Sequence, residues 1–181
     1  MRTTRIAVTG ALAAAGLLLA GCGGTGGGNS PSTTEQSQPA KPSALASVDP
    51  CTVVPPDELK SFGVTKPGKF VDQGIGEPGC DFKTGDYLLT IYKAENSDLA
   101  YWQGRRDNFG IFEPNKVGSH EGIKAVTRGS VGQGLCRQII AAGGGSVSVA
   151  IKYDADKIQS DDATCAKAME IAQVVEPKLP K

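Results

Sequence analysis

Cys51, Cys80, Cys136 and Cys165 fall into two pairs whose members lie 29 residues apart in each case. No other feature limits the folds open to this chain as much, because a cross-link dictates which distant segments must meet. Four cysteines allow three connectivities. Cys51 with Cys80 and Cys136 with Cys165 is the preferred arrangement, since each bond then brackets one compact block. In the loop-entropy picture a loop of this size stabilises by roughly 3 to 4 kcal/mol. A zinc site does not fit, because no two of these cysteines share a close Cys-x-x-Cys spacing. The same lack argues against a redox-active pair. Structural disulfides belong to an oxidising compartment, so the chain should be exported.

The amino terminus carries an export signal of the matching kind. Arg2 and Arg5 precede an apolar run from Ile6 to Ala20, which closes in Leu19-Ala20-Gly21-Cys22. That tetrapeptide resembles a bacterial lipobox, in which the leader is cut before a cysteine whose thiol carries lipid. The thiolate accepts a diacylglyceryl group as a thioether. Durable anchoring needs at least those two chains, usually with an amide-linked palmitate-type third, because one chain binds a bilayer only marginally. The run is shorter than the roughly 20 apolar residues of a membrane span, and Thr9, Gly10 and Gly16 interrupt it. Residues 1–21 are therefore expected to be a signal peptide, Cys22 the lipidated residue, and the extracytoplasmic face of the cell membrane the destination.

Charge narrows the partners. The whole chain balances 19 basic against 19 acidic side chains, and loss of Arg2 and Arg5 with the leader brings it to net −2. A nucleic-acid partner would call for a basic excess or stripe, and neither is present. Residues 22–47 are mainly Gly, Ser, Thr, Pro, Gln and Ala, with Leu45 the only large apolar side chain. Such a segment buries too little surface to offset its ordering entropy. It is expected to be a flexible tether with an r.m.s. span of roughly 25 to 30 Å. Residues 48–181 then form one domain, enough for a single core.

Within that domain Pro55 to Lys60 suits a short helix, with proline in its first turn and acids near its positive end. Cys80-Asp81-Phe82 and Tyr87 to Tyr92 read as a hairpin about Thr84-Gly85-Asp86, the second strand apolar on both faces and so central. Ser97 can cap a helix from Asp98 to about Asn108. Two edge-like strands are expected around Lys116 to His120 and Ile123 to Arg128. Leu135 to Ala142 and Ser146 to Tyr153 form the strongest hairpin, joined by Gly143-Gly144-Gly145. In its second strand Val147, Val149, Ile151 and Tyr153 point inward, and Ser146, Ser148 and Lys152 outward. A terminal helix begins near Ser160, shows a small-residue stripe of Cys165, Ala168, Ala172 and Val175, and stops at Pro177. These elements predict an α+β fold: a single antiparallel sheet of five to seven strands, helices mainly on one face, and two disulfides. A three-layer arrangement with the first helix on the opposite face is the alternative.

The lipobox, Asp49-Pro50-Cys51, Gly79-Cys80-Asp81-Phe82 opening a strand, the Cys136 strand and Cys165 in an Ala-rich terminal helix together resemble an actinobacterial lipoprotein family, domain of unknown function 3558. The resemblance runs from Val48 to the end of the chain. It implies an exported α+β domain with two disulfides and assigns no catalytic residue.

Direct signs of chemistry are few. His120 is the only histidine. In Gly118-Ser119-His120-Glu121-Gly122 it reads as an exposed turn residue, and neither a Gly-x-Ser-x-Gly elbow nor a His-Glu-x-x-His motif accompanies it. Gly132-x-Gly134 and Gly143 to Gly145 lack the phosphate-cradle pattern. Asp154, Asp156, Asp161 and Asp162 lack that of a calcium loop. No metal or cofactor is expected. Tyr101, Trp102, Arg105 and Arg106 form the one candidate binding surface, since aromatic and arginine side chains dominate binding hot spots. The simpler role for Trp102 is a core anchor. The expected function is a lipid-anchored, non-catalytic binding module for an envelope protein or small ligand. An accessory subunit of a membrane or secretion assembly and an envelope hydrolase are the alternatives.

Overall fold

A computed structural model describes residues 43–181. The expected signal peptide, Cys22 and most of the expected tether lie outside those residues.

Seven strands form one antiparallel sheet: β1 (Lys69–Val71), β2 (Gly79–Lys83), β3 (Tyr87–Ala94), β4 (Phe109–Val117), β5 (His120–Thr127), β6 (Leu135–Ala142) and β7 (Gly145–Tyr153). Their spatial order is β1-β2-β3-β7-β6-β5-β4. Three α-helices accompany them: α1 (Pro56–Lys60), α2 (Leu99–Gln103) and α3 (Asp161–Val175). The sheet is of the expected kind at the upper end of the expected size. β1 was not anticipated; three residues carry no readable alternation.

The two best-marked hairpins form where their turn residues put them. Thr84 Oγ1 accepts from the amides of Asp86 and Tyr87 at 3.2 and 3.0 Å, closing the β2–β3 turn. β6 and β7 are joined by Gly143 and Gly144, with φ of 56° and 85°, the paired positive values of a type I′ turn. Gly145 belongs to β7, opposite Ala142.

One face of the sheet carries the larger core. Leu89, Ile91, Val147, Val149, Ile151 and Ile140 pack there with Ala168, Ile171, Ala172 and Val175 of α3 and Leu59 of α1. The small residues of α3 let it lie close to the strands. Ser160 caps it, its hydroxyl accepting from the Ala163 amide. Both disulfides lie on this face and pair as expected, Cys51–Cys80 holding the segment before α1 to β2 and Cys136–Cys165 holding α3 to β6. Leu45 joins the same core, fully buried from a 3-10 turn over Ala44–Ser47. The folded region thus takes in the end of the stretch read as tether, because its one large apolar residue finds a pocket.

The opposite face is covered in part by α2. Trp102, Phe112, Ile123, Ala125 and Ile139 form a second, smaller core there, with Leu99, Tyr101 and Phe109 at its margin. Helices are thus mainly on one face, and the helix that crosses over is the second, not the first. Three local expectations are corrected. The helix expected from Asp98 to Asn108 is split: Asp98 caps it, α2 ends at Gly104, and a 3-10 turn over Arg106–Asn108 follows. Glycine weakens a helix interior, and here it ends one. The strand expected around Lys116 to His120 instead straddles a turn at Gly118 and Ser119, between the end of β4 at Val117 and the start of β5 at His120; β4 is the edge strand, whereas β5 lies between β4 and β6. Ser146 and Ser148 are not solvent-facing: they are 0% and 1% exposed. Ser146 Oγ accepts from Trp102 Nε1 at 2.9 Å and donates to the Ser97 carbonyl at 2.6 Å, so the indole covers a serine that satisfies it.

Among the described residues no helix is long and apolar enough to cross a membrane.

Candidate ligand-binding cleft

An apolar concavity forms where the amino-terminal segment meets the β1–β2 end of the sheet. Asp49 Oδ1 accepts from the Cys51 amide at 2.8 Å, turning the chain so that Cys51 reaches Cys80. Pro56 starts α1, and Leu59 faces the core while Lys60 faces out. Tyr87 ties down the end of this helix by donating from its hydroxyl to the Phe62 carbonyl at 2.7 Å. Burial first, then the nearby Tyr153, Glu170 and Asp86, push the Tyr87 hydroxyl up to about 12, so it stays a donor at any ordinary pH.

The chain then returns through Val64 to Gly68 and passes directly over the disulfide. A Cβ on Gly68 would collide with Cys80 Sγ and sit 2.5 Å from the Phe82 ring. Only glycine lets the backbone come this close. Between this return and α1 lies a cleft of about 410 Å³. Leu59, Val64 and Phe82, all nearly inaccessible, and the half-buried Cys51 make its floor. Pro56 and Pro67 stiffen its sides, and Thr52, Thr65, Lys60 and Lys66 stand at its mouth. Phe70, the register partner of Cys80, is 59% exposed on the adjoining edge strand.

The charge at the mouth is of one sign. The ionisable side chains lining the cleft are Lys60 and Lys66. Lys60 meets Asp57 at 2.7 Å in an exposed pair one helical turn apart. Lys66 makes no ion pair among the described residues. A preformed apolar concavity of a few hundred cubic ångströms with a few polar groups at its rim is the usual form of a small-molecule site.

The residues singled out in the sequence lie elsewhere. Trp102 is 5% exposed and anchors the second core, on the sheet face opposite the cleft. Arg105 stacks on the Tyr101 ring with its guanidinium carbon 3.5 Å from the centroid, and Arg106 lies 5.7 Å from that of Phe112. These arginines are exposed, and each is already engaged by an aromatic neighbour.

His120 is not the exposed turn residue expected. Its side chain is 11% exposed, with Nδ1 2.7 Å from Glu176 Oε1 and Nε2 3.4 Å from the Pro180 carbonyl. Ser119 donates to the same oxygen from its amide at 2.9 Å and its hydroxyl at 2.8 Å. These bonds, His120 first and then Ser119, hold the Glu176 carboxyl down to about 2. The carboxylate is ionised, so Nδ1 is the donor. Serine and histidine thus converge on one acid, instead of forming the hydroxyl-to-imidazole-to-acid relay that activates a nucleophile. The cluster fastens the end of α3 to the β4–β5 turn.

The cleft itself escaped sequence reading. Pro56, Leu59, Val64, Pro67 and Phe82 show no periodic pattern, and they meet through the disulfide, the Tyr87 bond to Phe62 and packing in the main core. The available signal was the density of proline and lysine about two buried-type residues between Cys51 and Cys80.

Fold and cleft define a small disulfide-bonded α+β domain with a preformed concavity. A family model described as protein of unknown function DUF3558 matches residues 17–178, and the chain belongs to that family. Neither the curated proteins nor the solved structures contain a match.

Proposed function

We propose that this chain is an exported lipoprotein, held at the outer face of a membrane by lipid on Cys22, whose domain binds a small apolar ligand without turning it over. The cleft under α1 carries the binding half of this reading: its floor is apolar, and its sides are fixed by a disulfide and two prolines. Preorganised walls lower the ordering cost of binding. The ionisable members of the lining are two lysines. The location is supported by Leu19-Ala20-Gly21-Cys22 behind its apolar run, and by two disulfides of the kind kept in oxidising compartments.

Hydrogen exchange on the full chain in phosphatidylcholine nanodiscs tests the cleft. Added dodecyl amphiphile should slow exchange in peptides covering residues 51–68, and Thr65→Trp, which fills the mouth from an exposed position, should abolish that protection. Unchanged exchange there would overturn the binding reading. For the anchor, Cys22→Ala should eliminate lipid labelling of the protein in cells; labelling that persists would refute it.

One observation favours a second reading, an accessory subunit of a membrane assembly. Phe70 and Ile75, 59% and 64% exposed, lie on and beside the short edge strand β1, where a partner could dock.

A further inference from the structure

We infer that the cleft takes an amphiphile with one acyl chain and an anionic head, its chain between Pro56, Cys51 and Pro67 and its head between Lys60 and Lys66. The inference rests on the cleft being a ligand site, as proposed above, and goes on to state what that ligand is.

Size selects one chain. A methylene group fills slightly less than the roughly 30 Å³ share of a liquid water, so a cleft of about 410 Å³ has room for a chain of about fourteen carbons. A second chain of that length would have no place inside it.

Charge selects the head. Both ionisable lining residues are cations, and no carboxylate lines the cleft to neutralise an incoming base. Lys60 is engaged by Asp57, but the two side chains are 67% and 89% exposed, and such pairs hold weakly. The ammonium can turn to a ligand at little cost. A lysine at the rim of an apolar surface lays its methylenes along it and keeps its charge in water. Lys60 and Lys66 so disposed would extend the cleft walls along the acyl chain and end beside the head. A neutral head would gain nothing from them, and a cationic head would be repelled. This separates the proposed ligand from the uncharged thioether lipid expected on Cys22.

The test uses the full chain in phosphatidylcholine nanodiscs and four photoreactive twelve-carbon probes, each carrying a diazirine in the chain. Their heads are carboxylate, phosphate, hydroxyl and trimethylammonium. After irradiation, peptide mapping locates the label. At least one anionic probe should mark residues 51–68 about fivefold more than the hydroxyl probe, the sum of two exposed ion pairs. Preference for carboxylate or for phosphate identifies the natural head. Lys60→Gln with Lys66→Gln, both exposed positions, should remove the preference while labelling continues. Equal marking by the hydroxyl and anionic probes, or a preference that survives the double substitution, would overturn the anionic head and leave the cleft a ligand site. Marking by no probe within residues 51–68 would overturn both readings together.

Discussion

A carboxylate at the end of a helix ordinarily meets the negative pole of the helix dipole and is disfavoured there. Glu176 is held in that position by donors from another element. Ser119 and His120 come from the turn between β4 and β5, and together they give one oxygen three hydrogen bonds. The consequence for pH has a definite sign. A carboxyl near 4.5 when unfolded and about 2 when folded stabilises the native state fully above 4.5, and that contribution disappears as pH falls toward 2. Thermal melts of the full chain should therefore show a falling midpoint across that window. Glu176→Gln should melt lower at neutral pH and show a flatter acid limb; an acid limb as steep as in the native chain would refute the assignment. His120 shows how far residue types alone can lead. Its glycine-flanked setting suggested exposure, but its burial depends on a helix end 56 residues away, which no local pattern encodes.

Elements with strong internal signals were legible. The β6–β7 hairpin, α3 and the β2–β3 turn follow from alternation, small-residue spacing and turn chemistry contained within each segment. Elements whose form depends on a neighbour were not. Ser146 of β7 looks solvent-facing until Trp102 of α2 lies over it, and α2 is short because Gly104 ends it where Trp102 is already seated. The indole is the link between the two elements. Trp102→Phe keeps most of the packing but leaves Ser146 without the indole donor, so it should cost about 1 to 3 kcal/mol. Chemical denaturation would measure this. A loss below about 0.5 kcal/mol would show that the bond to Ser146 contributes little to holding α2 on the sheet.

For the molecule as a whole, the cysteines gave the most. Their equal spacing led to the pairing present in the fold, and the class of sheet followed from the strands between them. The cleft did not follow, because it is a by-product of the Cys51–Cys80 bond drawing two irregular segments over Phe82. The two bonds should then differ in what they support. Replacing Cys136 and Cys165 together with alanine should cost roughly 3 to 4 kcal/mol by the loop-entropy estimate, yet leave ligand-dependent protection of residues 51–68 intact below the new melting point. Loss of that protection in a folded variant would mean that the cleft depends on α3 and not on its own disulfide.

Diffraction from crystals of the chain grown with a twelve-carbon carboxylate brominated at its terminal methyl tests the cleft most directly, because the bromine anomalous signal locates the chain end without a model of the ligand. The expected result is one strong peak inside the cleft, between Pro56, Cys51 and Pro67. A peak only against exposed Phe70 or Ile75, with the cleft empty, would contradict a ligand site beneath α1.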